Sequence, residues 1–507
     1  MAVEKSGMER QRSLWLSDAS LLIYMALMTI VLHCVTGHRY GFHRGELATL
    51  EDARHLDWGF VAYPPITPLF GRLSLILFGT SLTGFRFFAA VAEAAAVVLA
   101  GVMAREMGGD RGAQLLAAAA AIPFCLAGGA LMQYVSFDYL CWMLATFFVV
   151  KLLKTEDPRW WVAIGAAIGF GLQTKYTMAF FAIAIALAAL FTDARRYFKT
   201  RWLWYGVALS ILIFLPNIVW QARNQFISLD FLRYIHARDV RIGRADNFLP
   251  QQLELTLGGF LLFLVGLYFT LLTRDGKRFR MLAWMYAIPL AIFLIAKGRA
   301  YYLAAAYPML YAAGSVWLEQ KLSRASEVAR STIRAIVWVV LIADIVVVAA
   351  VALPVAPAGS AWAKRAMAFN EDFREEIGWP ELVESVAQVR DSLPNEDRAS
   401  FAILAVNYGE AGAVNLYGPQ LHLPHVISGV NSFWQRGYGD PPPETLIVVG
   451  ADLDDLQGEF ASCHLAARVW NRLGVRNEET RGHPNIFVCR QLLKPWPQFW
   501  KDFRYFG

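Results

Sequence analysis

Long apolar segments separated by short polar connections make up most of this chain. Each segment approaches the roughly 20 residues that an α-helix needs to cross about 30 Å of hydrocarbon. We predict about eleven membrane-spanning helices, near residues 18–36, 85–104, 112–131, 137–153, 160–174, 177–192, 202–221, 254–273, 281–296, 302–319 and 333–353. A further stretch, 66–80, is shorter and carries Arg72, so it is predicted to lie on the membrane surface or to re-enter it. The pattern indicates a polytopic α-helical membrane protein.

The pattern changes after Pro354. A linker, VALPVAPAGS, is followed by short apolar segments (FAILAV, TLIVVG, NIFVCR) and by a helical pattern (WPELVESVAQVRDSL). Strands alternating with helices predict an α/β domain over 355–507, outside the membrane, beside a membrane module over 1–354. No glycine-rich phosphate loop follows its strands, so no nucleotide is assigned.

Composition agrees with a membrane protein, because 57% of the residues are hydrophobic and only 17% are charged. The net charge of +6 would suit nucleic acid in a soluble protein. Here it is better explained by loop lysines and arginines that set topology, and no nucleic-acid partner is expected. The first apolar run lacks a small-residue cleavage site and is interpreted as an uncleaved span.

Basic residues fall at alternate connections. If Lys5, Arg10 and Arg12 are cytoplasmic, the other cytoplasmic connections, near 105–111, 151–159, 195–201, 274–280 and 321–334, are all basic. The unusual polar features then share the outer face: Glu46, Asp138, the loop 222–252, Lys297 and the region after Pro354. We therefore expect the functional site and the C-terminal domain to be extracytoplasmic.

The most unusual outer connection is the loop 37–84. Its first part, GHRYGFHRGELATLEDARHLDWGFVAYPPITP, holds the acids Glu46, Glu51, Asp52 and Asp57 and the turn Tyr63-Pro64-Pro65. Acids and bases held at the membrane face suggest chemistry on a substrate that itself lies in the membrane. Asp138 lies on the same face. It could simply favour a helix N-terminus, with Ser136 as the N-cap, or it could hold a substrate hydroxyl or a cation.

Two outer loops carry cations against the topological bias, namely Arg223, Arg233, Arg238, Arg241 and Arg244 in one and Lys297 and Arg299 in the other. A phosphate-linked lipid would compensate them through charge-assisted hydrogen bonds. Alternatively, these arginines pair with Asp230, Asp239, Asp246 and anionic headgroups, and Lys297 and Arg299 extend from a helix end towards water.

Several motifs in combination resemble the bacterial family 39 glycosyltransferases of the GT-C superfamily, relatives of protein O-mannosyltransferases and of the aminoarabinose transferases that modify lipid A. The motifs lie within residues 20–320: HRGEL, ARHLDWGFVAYPPITPL, SFDYL, GLQTKYTM, FLPNIVWQ and KGRAYYLAAAYP. The resemblance implies a multi-pass protein of the bacterial inner membrane, an outward-facing site and a polyprenyl-phosphate-linked sugar donor. The acceptor would be protein, lipid A or a glycan.

The family's first-loop acidic pair falls on Gly45 and Glu46, so glycine replaces the usual aspartate. The base is then Glu46, or else Glu51 or Asp52, and the second-loop aspartate matches Asp138. Tyr63 replaces the lysine of a Lys-Pro-Pro variant. The residues predicted to meet the donor phosphate are Lys297, Arg299, Tyr301, Tyr63, Arg241 and Arg244.

An acceptor hydroxyl must lose its proton as it attacks the anomeric carbon, and inversion requires only one carboxylate as base. No metal site is assigned, because the loop histidines lack ligand spacing, although a divalent cation could bridge the phosphate and a carboxylate. The rival function is a secondary transporter or flippase of a lipid-linked anion. It predicts repeated halves and charged residues in mid-span, and we find no repeat and interpret the spans as free of charge.

Two features of the C-terminal domain complete the predictions. Cys463 and Cys489 are its only cysteines, and we predict a disulfide between them. Asn407 and Glu410, after the first strand, either contact an acceptor or cap the following helix.

Overall fold

The computed structural model describes residues 17–507, so Lys5, Arg10 and Arg12, on which the predicted orientation partly depends, lie outside the described residues. All eleven segments predicted to span the membrane contain α-helix, and 66–80 contains a short one. The helices before the C-terminal region are α1 Asp18–Thr36, α2 Arg44–Arg54, α3 Ile66–Phe78, α4 Leu82–Glu106, α5 Arg111–Gly128, α6 Tyr134–Thr155, α7 Trp160–Leu172, α8 Met178–Leu190, α9 Arg201–Arg223, α10 Ile227–Arg241, α11 Phe248–Thr256, α12 Phe260–Leu272, α13 Arg280–Ile295, α14 Tyr307–Leu322 and α15 Glu327–Ala352.

Within residues 17–507, eight helical segments are long and apolar enough to cross a membrane, or nine if one bent pair counts as a span. The bent pair joins α8 to a 3₁₀ helix, Asp193–Lys199, at an angle of 104°. The helices in two predicted spans are too short to cross a membrane by this criterion, since α7 has 13 residues and α14 has 16. The protein is thus a multi-pass membrane protein with a span count close to the predicted one.

The prediction that the spans are free of charged residues is wrong. Glu93 lies within α4 and is fully buried, and Asp344 lies within α15, where its carboxylate accepts the backbone N–H of Gly258 at 3.1 Å. Each of these acids has apolar neighbours on both sides, so a search for long apolar runs does not detect it.

By its internal contacts, the chain divides into two compact units. The first contains the residues up to Thr36, Arg86–Arg223 and His236–Leu353, and the second contains Gly37–Phe85, Asn224–Ile235 and Pro354–Gly507. The sequence analysis assigned the loop 37–84 to the membrane module. In the structure, this loop belongs to the unit that also holds the C-terminal region.

In the first unit, glycines allow helix backbones to approach closely. A β-carbon on Gly165 of α7 would lie 2.0 Å from the carbonyl oxygen of Gly206 on α9. In the same way, a β-carbon on Gly266 of α12 would lie 2.0 Å from the carbonyl oxygen of Leu310 on α14. Small residues at such crossings are the usual means by which membrane helices pack.

The second unit contains a five-stranded mixed sheet with the strand order β2-β1-β3-β5-β4. Its strands are β1 Phe401–Ala405, β2 Val426–Ile427, β3 Thr445–Val449, β4 Phe460–Arg468 and β5 Asn485–Leu492. β1 pairs in parallel with β2 and β3, whereas β5 pairs antiparallel with β3 and β4. The remaining α-helices are α16 Ala361–Phe369, α17 Trp379–Ser392, α18 Asn395–Ala399, α19 Tyr408–Tyr417, α20 Asn431–Trp434, α21 Leu453–Leu456, α22 Glu478–Arg481 and α23 Trp496–Asp502.

The three predicted strands and the predicted helix are confirmed as β1, β3, β5 and α17. The predicted disulfide is also confirmed, since Cys463 and Cys489 face each other across β4 and β5 with Cα atoms 4.2 Å apart. Of the two roles left open for Asn407 and Glu410, the structure shows capping, because they form a capping box at the start of α19.

The acidic first-loop helix α2 packs against α19 of the α/β region. A β-carbon on Gly412 of α19 would lie 2.7 Å from the β-carbon of Leu47, which is itself fully buried. Because α2 is short and polar, this packing rather than intrinsic helix propensity stabilises it.

Candidate active site

Glu46 is tied to the start of its own helix. His43 is the N-cap of α2, and its ring Nδ1 accepts the Gly45 N–H at 3.1 Å. One oxygen of the Glu46 carboxylate accepts the His43 N–H at 2.9 Å, which completes a capping box. Since Glu46 is fully buried, this contact gives the carboxylate a structural role beside the predicted catalytic one.

Glu51, one turn further along α2, is paired with two side chains of the same helix end. Its oxygens lie 3.2 Å from His55 Nδ1 and 3.5 Å from Arg54 Nη1. Arg54 and the imidazole are both partly exposed, so the ion pair between Glu51 and Arg54 is local and partly screened by solvent.

Asp52 has the most elaborate surroundings of the first-loop acids. Its Oδ2 accepts the Tyr63 hydroxyl at 2.7 Å, and its Oδ1 lies 2.5 Å from the Arg436 guanidinium. Burial raises the pKa of Asp52, whereas the Arg436 charge and the Tyr63 hydrogen bond oppose the rise. Burial and the neighbouring carboxylate raise the pKa of Tyr63 well above its ordinary value, so the phenol remains a donor.

Asp138 lies in the first turns of α6, in the first unit. The helix begins at Tyr134, and Ser136 is inside it, where its hydroxyl donates to the Gly128 carbonyl oxygen at 2.7 Å. The prediction of Ser136 as N-cap is therefore wrong. The buried carboxylate of Asp138 accepts the Trp142 indole N–H at 3.1 Å and the Thr177 hydroxyl at 3.2 Å.

Lys175 lies beside the predicted residues Asp138 and Tyr301, although the sequence analysis did not single it out. Its ammonium lies over three tyrosine rings, 4.8 Å from the centroid of Tyr134, 4.7 Å from Tyr301 and 4.1 Å from Tyr302. It also acts electrostatically on Asp138. A lysine between two apolar helices, in the motif GLQTKYTM, was the available signal.

Asp239 of α10 gathers three arginines. Arg299 Nε donates to Asp239 Oδ2 at 2.6 Å, while Arg238 and Arg244 each lie 3.6 Å from Oδ1. Arg299 also interacts electrostatically with Tyr301. Tyr301 therefore connects the arginine cluster to Lys175 and through it to Asp138.

The predicted residues thus fall into two sets. In the first unit the structure brings together Asp138, Tyr301, Arg299 and Arg244, and in the second unit Glu46, Glu51, Asp52 and Tyr63 share or adjoin α2. Arg241 and Lys297 are exposed, and Lys297 has a left-handed backbone with φ of 50°. Within residues 17–507, no group of three or more histidine, cysteine, aspartate and glutamate side chains is arranged to hold a metal ion.

Comparisons with known proteins agree with this architecture. Residues 62–220 match the family model described as dolichyl-phosphate-mannose-protein mannosyltransferase. The lipopolysaccharide core galacturonosyltransferase RgtB of Rhizobium johnstonii (strain DSM 114642 / LMG 32736 / 3841) is 27% identical over 198 residues. That alignment covers 37% of this chain and spans 39% of the relative's length.

Two solved structures of ArnT from Cupriavidus metallidurans share the fold. The apo structure has a TM-score of 0.55 at 17% identity and covers 92% of this chain and 97% of ArnT. The structure bound to undecaprenyl phosphate has a TM-score of 0.54 at 17% identity and covers 94% and 98%. The predicted resemblance to membrane glycosyltransferases is confirmed by these similarities, and the chain is a polytopic membrane protein that shares the ArnT fold and has a C-terminal α/β region.

Proposed function

We propose that this protein is an inverting glycosyltransferase that moves a sugar from a polyprenyl-phosphate donor to an acceptor hydroxyl or phosphate at the outer membrane face. The acceptor oxygen would form a bond to the anomeric carbon and lose its proton to a carboxylate. The bond from that carbon to the donor phosphate would break, with polyprenyl phosphate as leaving group. The match to mannosyltransferases and the galacturonosyltransferase relative support sugar transfer.

One observation carries the donor assignment: three arginines surround the single carboxylate of Asp239. Asp239 is buried, Arg238 and Arg299 are about one quarter exposed, and Arg244 is about half exposed. One carboxylate balances only one of these cations, and charge that is partly withdrawn from water requires compensation. A phosphate would provide it through charge-assisted hydrogen bonds and would leave as an anion stabilised by the same arginines.

For the base we propose Asp52, with Asp138 holding a substrate hydroxyl. An ionised carboxylate has about four acceptor positions, and the described contacts occupy two on each of these aspartates. Burial moves the pKa of Asp52 towards neutrality, where a general base is most effective. Glu46 and Glu51 remain predicted alternatives, although both already have structural partners.

The proposed location is the bacterial inner membrane, with the site and the C-terminal domain outside the cytoplasm. The basic residues at alternate connections support this orientation. Among the acceptors, the name of the galacturonosyltransferase relative favours a lipopolysaccharide core glycan over protein, and it favours a uronic acid as the sugar.

A transfer assay tests the proposal. The purified protein in liposomes would receive a radiolabelled polyprenyl-phosphate sugar and a lipopolysaccharide core acceptor. We expect transfer by the wild type, and a loss of about 10²-fold or more in Asp52→Asn and Asp138→Asn. The exposed acid of the same loop supplies the control, Asp57→Asn, which should retain activity. Full activity in both Asp52→Asn and Asp138→Asn would overturn the residue assignment, and an inactive wild type would overturn the function.

Glu93 and Asp344 favour transport as a second candidate, because charged groups within membrane helices often belong to substrate or proton pathways. Movement of a fluorescent polyprenyl phosphate between leaflets, abolished in Glu93→Gln, would support this alternative. If the lipid moved between leaflets at the same rate in protein-free liposomes as in liposomes that contain the wild type, this alternative would be rejected.

A further inference from the structure

Arg436 belongs to the C-terminal region yet contacts an acid of the first loop. It follows the short helix α20, 384 residues after Asp52, and its Nη2 lies 2.5 Å from Asp52 Oδ1. The guanidinium stacks on the Phe433 ring, 4.5 Å from its centroid. The Arg436 side chain is 22% exposed and that of Asp52 only 7%.

The same turn also fixes the loop backbone. The Val61 N–H donates to the hydroxyl of Ser432, a residue of α20, at 3.1 Å. Val61 lies two residues before Tyr63, whose hydroxyl binds the other oxygen of Asp52. Both carboxylate oxygens and the nearby backbone are thereby held in place.

The cation at this position is needed because Asp52 is buried. A buried carboxylate without a cation tends to bind a proton instead, and a protonated acid cannot serve as a base. The first loop offers Tyr63 where the resemblance leads one to expect a lysine. The positive charge next to Asp52 is supplied instead by Arg436, from the opposite end of the sequence.

We infer that Arg436 is a positioning residue for the transfer reaction, which acts by holding Asp52 ionised and oriented, so that the region after Pro354 is part of the catalytic apparatus. This inference rests on the proposed function and on Asp52 as its base. It assigns to the α/β region a role in the reaction beyond that of an appended module.

The test compares Arg436→Met and Arg436→Lys with the wild type in the transfer assay, over a range of pH. Loss of the cation raises the pKa of Asp52, so the pH at which activity rises should move upward by about one unit in Arg436→Met. On the acidic side of the profile, activity should fall by up to about tenfold, with little change in KM for the donor. Lysine retains the positive charge but lacks the planar guanidinium group. Arg436→Lys should therefore keep part of the wild-type activity and pH profile.

The matched control is Arg504→Met. Arg504 is exposed and also stacks on an aromatic ring near this turn, 5.2 Å from the Trp434 centroid, so its loss should leave the pH profile unchanged. An unshifted profile in Arg436→Met would overturn the inference. If Arg436→Met does not fold, the neutral but polar Arg436→Gln takes its place, and a pH profile and rate equal to those of the wild type would overturn the inference. An inactive wild type would instead overturn the proposed function itself.

Discussion

At the residue scale, the first-loop acids differ in the groups that they bind, and these contacts rather than the spacing of the acids in the sequence distinguish their roles. Glu46 accepts a backbone N–H at the start of α2, whereas Asp52 is held by side chains from two distant segments. The spacing His43-x-x-Glu46 matches a capping box, so the structural role of Glu46 could have been predicted. The contact of Asp52 with Arg436 could not, because nothing local connects residues 384 positions apart.

Glu46→Ala is expected to destabilise the protein by about 0.5–2 kcal/mol, because the His43 N–H loses its acceptor. Glu46→Gln retains an oxygen at this position, as glutamine does in other capping boxes, and should be destabilised less. Thermal unfolding in detergent, followed by tryptophan fluorescence, would measure both. Equal melting temperatures for the two variants would contradict a capping role.

Arg299→Gln is expected to weaken donor binding, because Arg299 is the least exposed of the three arginines around Asp239 and its charge is the least screened by solvent. We expect KM for the polyprenyl-phosphate sugar to rise about tenfold, the equivalent of one charge-assisted hydrogen bond. Arg233→Gln is the control, since Arg233 is exposed and pairs with Asp230 on the same helix. If both variants bind the donor as the wild type does, the arginine cluster is not the phosphate site.

At the element scale, α2 and α19 meet at a buried cluster of ionisable groups. Glu410 caps α19, Glu479 comes from α22, and Arg44 comes from the first turn of α2. Burial, together with the charges of Glu410 and Glu375, raises the pKa of Glu479 to about 8. Burial also raises the pKa of Glu410 to about 7, with backbone hydrogen bonds and Arg44 opposing the rise.

These shifts predict a pH-dependent stability. The folded protein binds the protons of Glu410 and Glu479 more tightly than the unfolded chain does, so the free energy of unfolding should fall as the pH rises from about 5 to about 8. Glu479→Gln removes the cost of ionising this residue. It should therefore raise the melting temperature at pH 8 and leave it nearly unchanged at pH 5. An equal shift at both pH values would contradict the raised pKa.

The elements themselves were largely predictable, whereas their partners were not. The strands β1, β3 and β5 are apolar runs of ordinary length, and the sequence predicts them correctly. β4 was missed because it is mostly exposed and reads FASCHLAAR, which lacks a continuous apolar run. Nothing in the sequence indicated that α2 packs on α19, since such packing depends on contacts between distant segments.

At the scale of the whole molecule, the chain combines a glycine-packed membrane unit with a unit built from three separate segments. The apolar runs predicted the membrane unit, and the motifs predicted the GT-C fold. The second unit combines the first loop with the region after Pro354. The sequence analysis placed one domain boundary at the linker after Pro354, and a single boundary cannot describe such a unit. Sequence reasoning therefore found most candidate acids but missed Lys175 and Arg436, the cations next to Asp138 and Asp52.

The most direct measurement is the anomeric configuration of the product after a single turnover from a polyprenyl-phosphate sugar, determined by NMR for the wild type and Asp52→Asn. A single carboxylate base predicts a product of inverted configuration, with transfer lost in Asp52→Asn. A product of retained configuration, or transfer that persists at the wild-type rate in Asp52→Asn, would contradict this account.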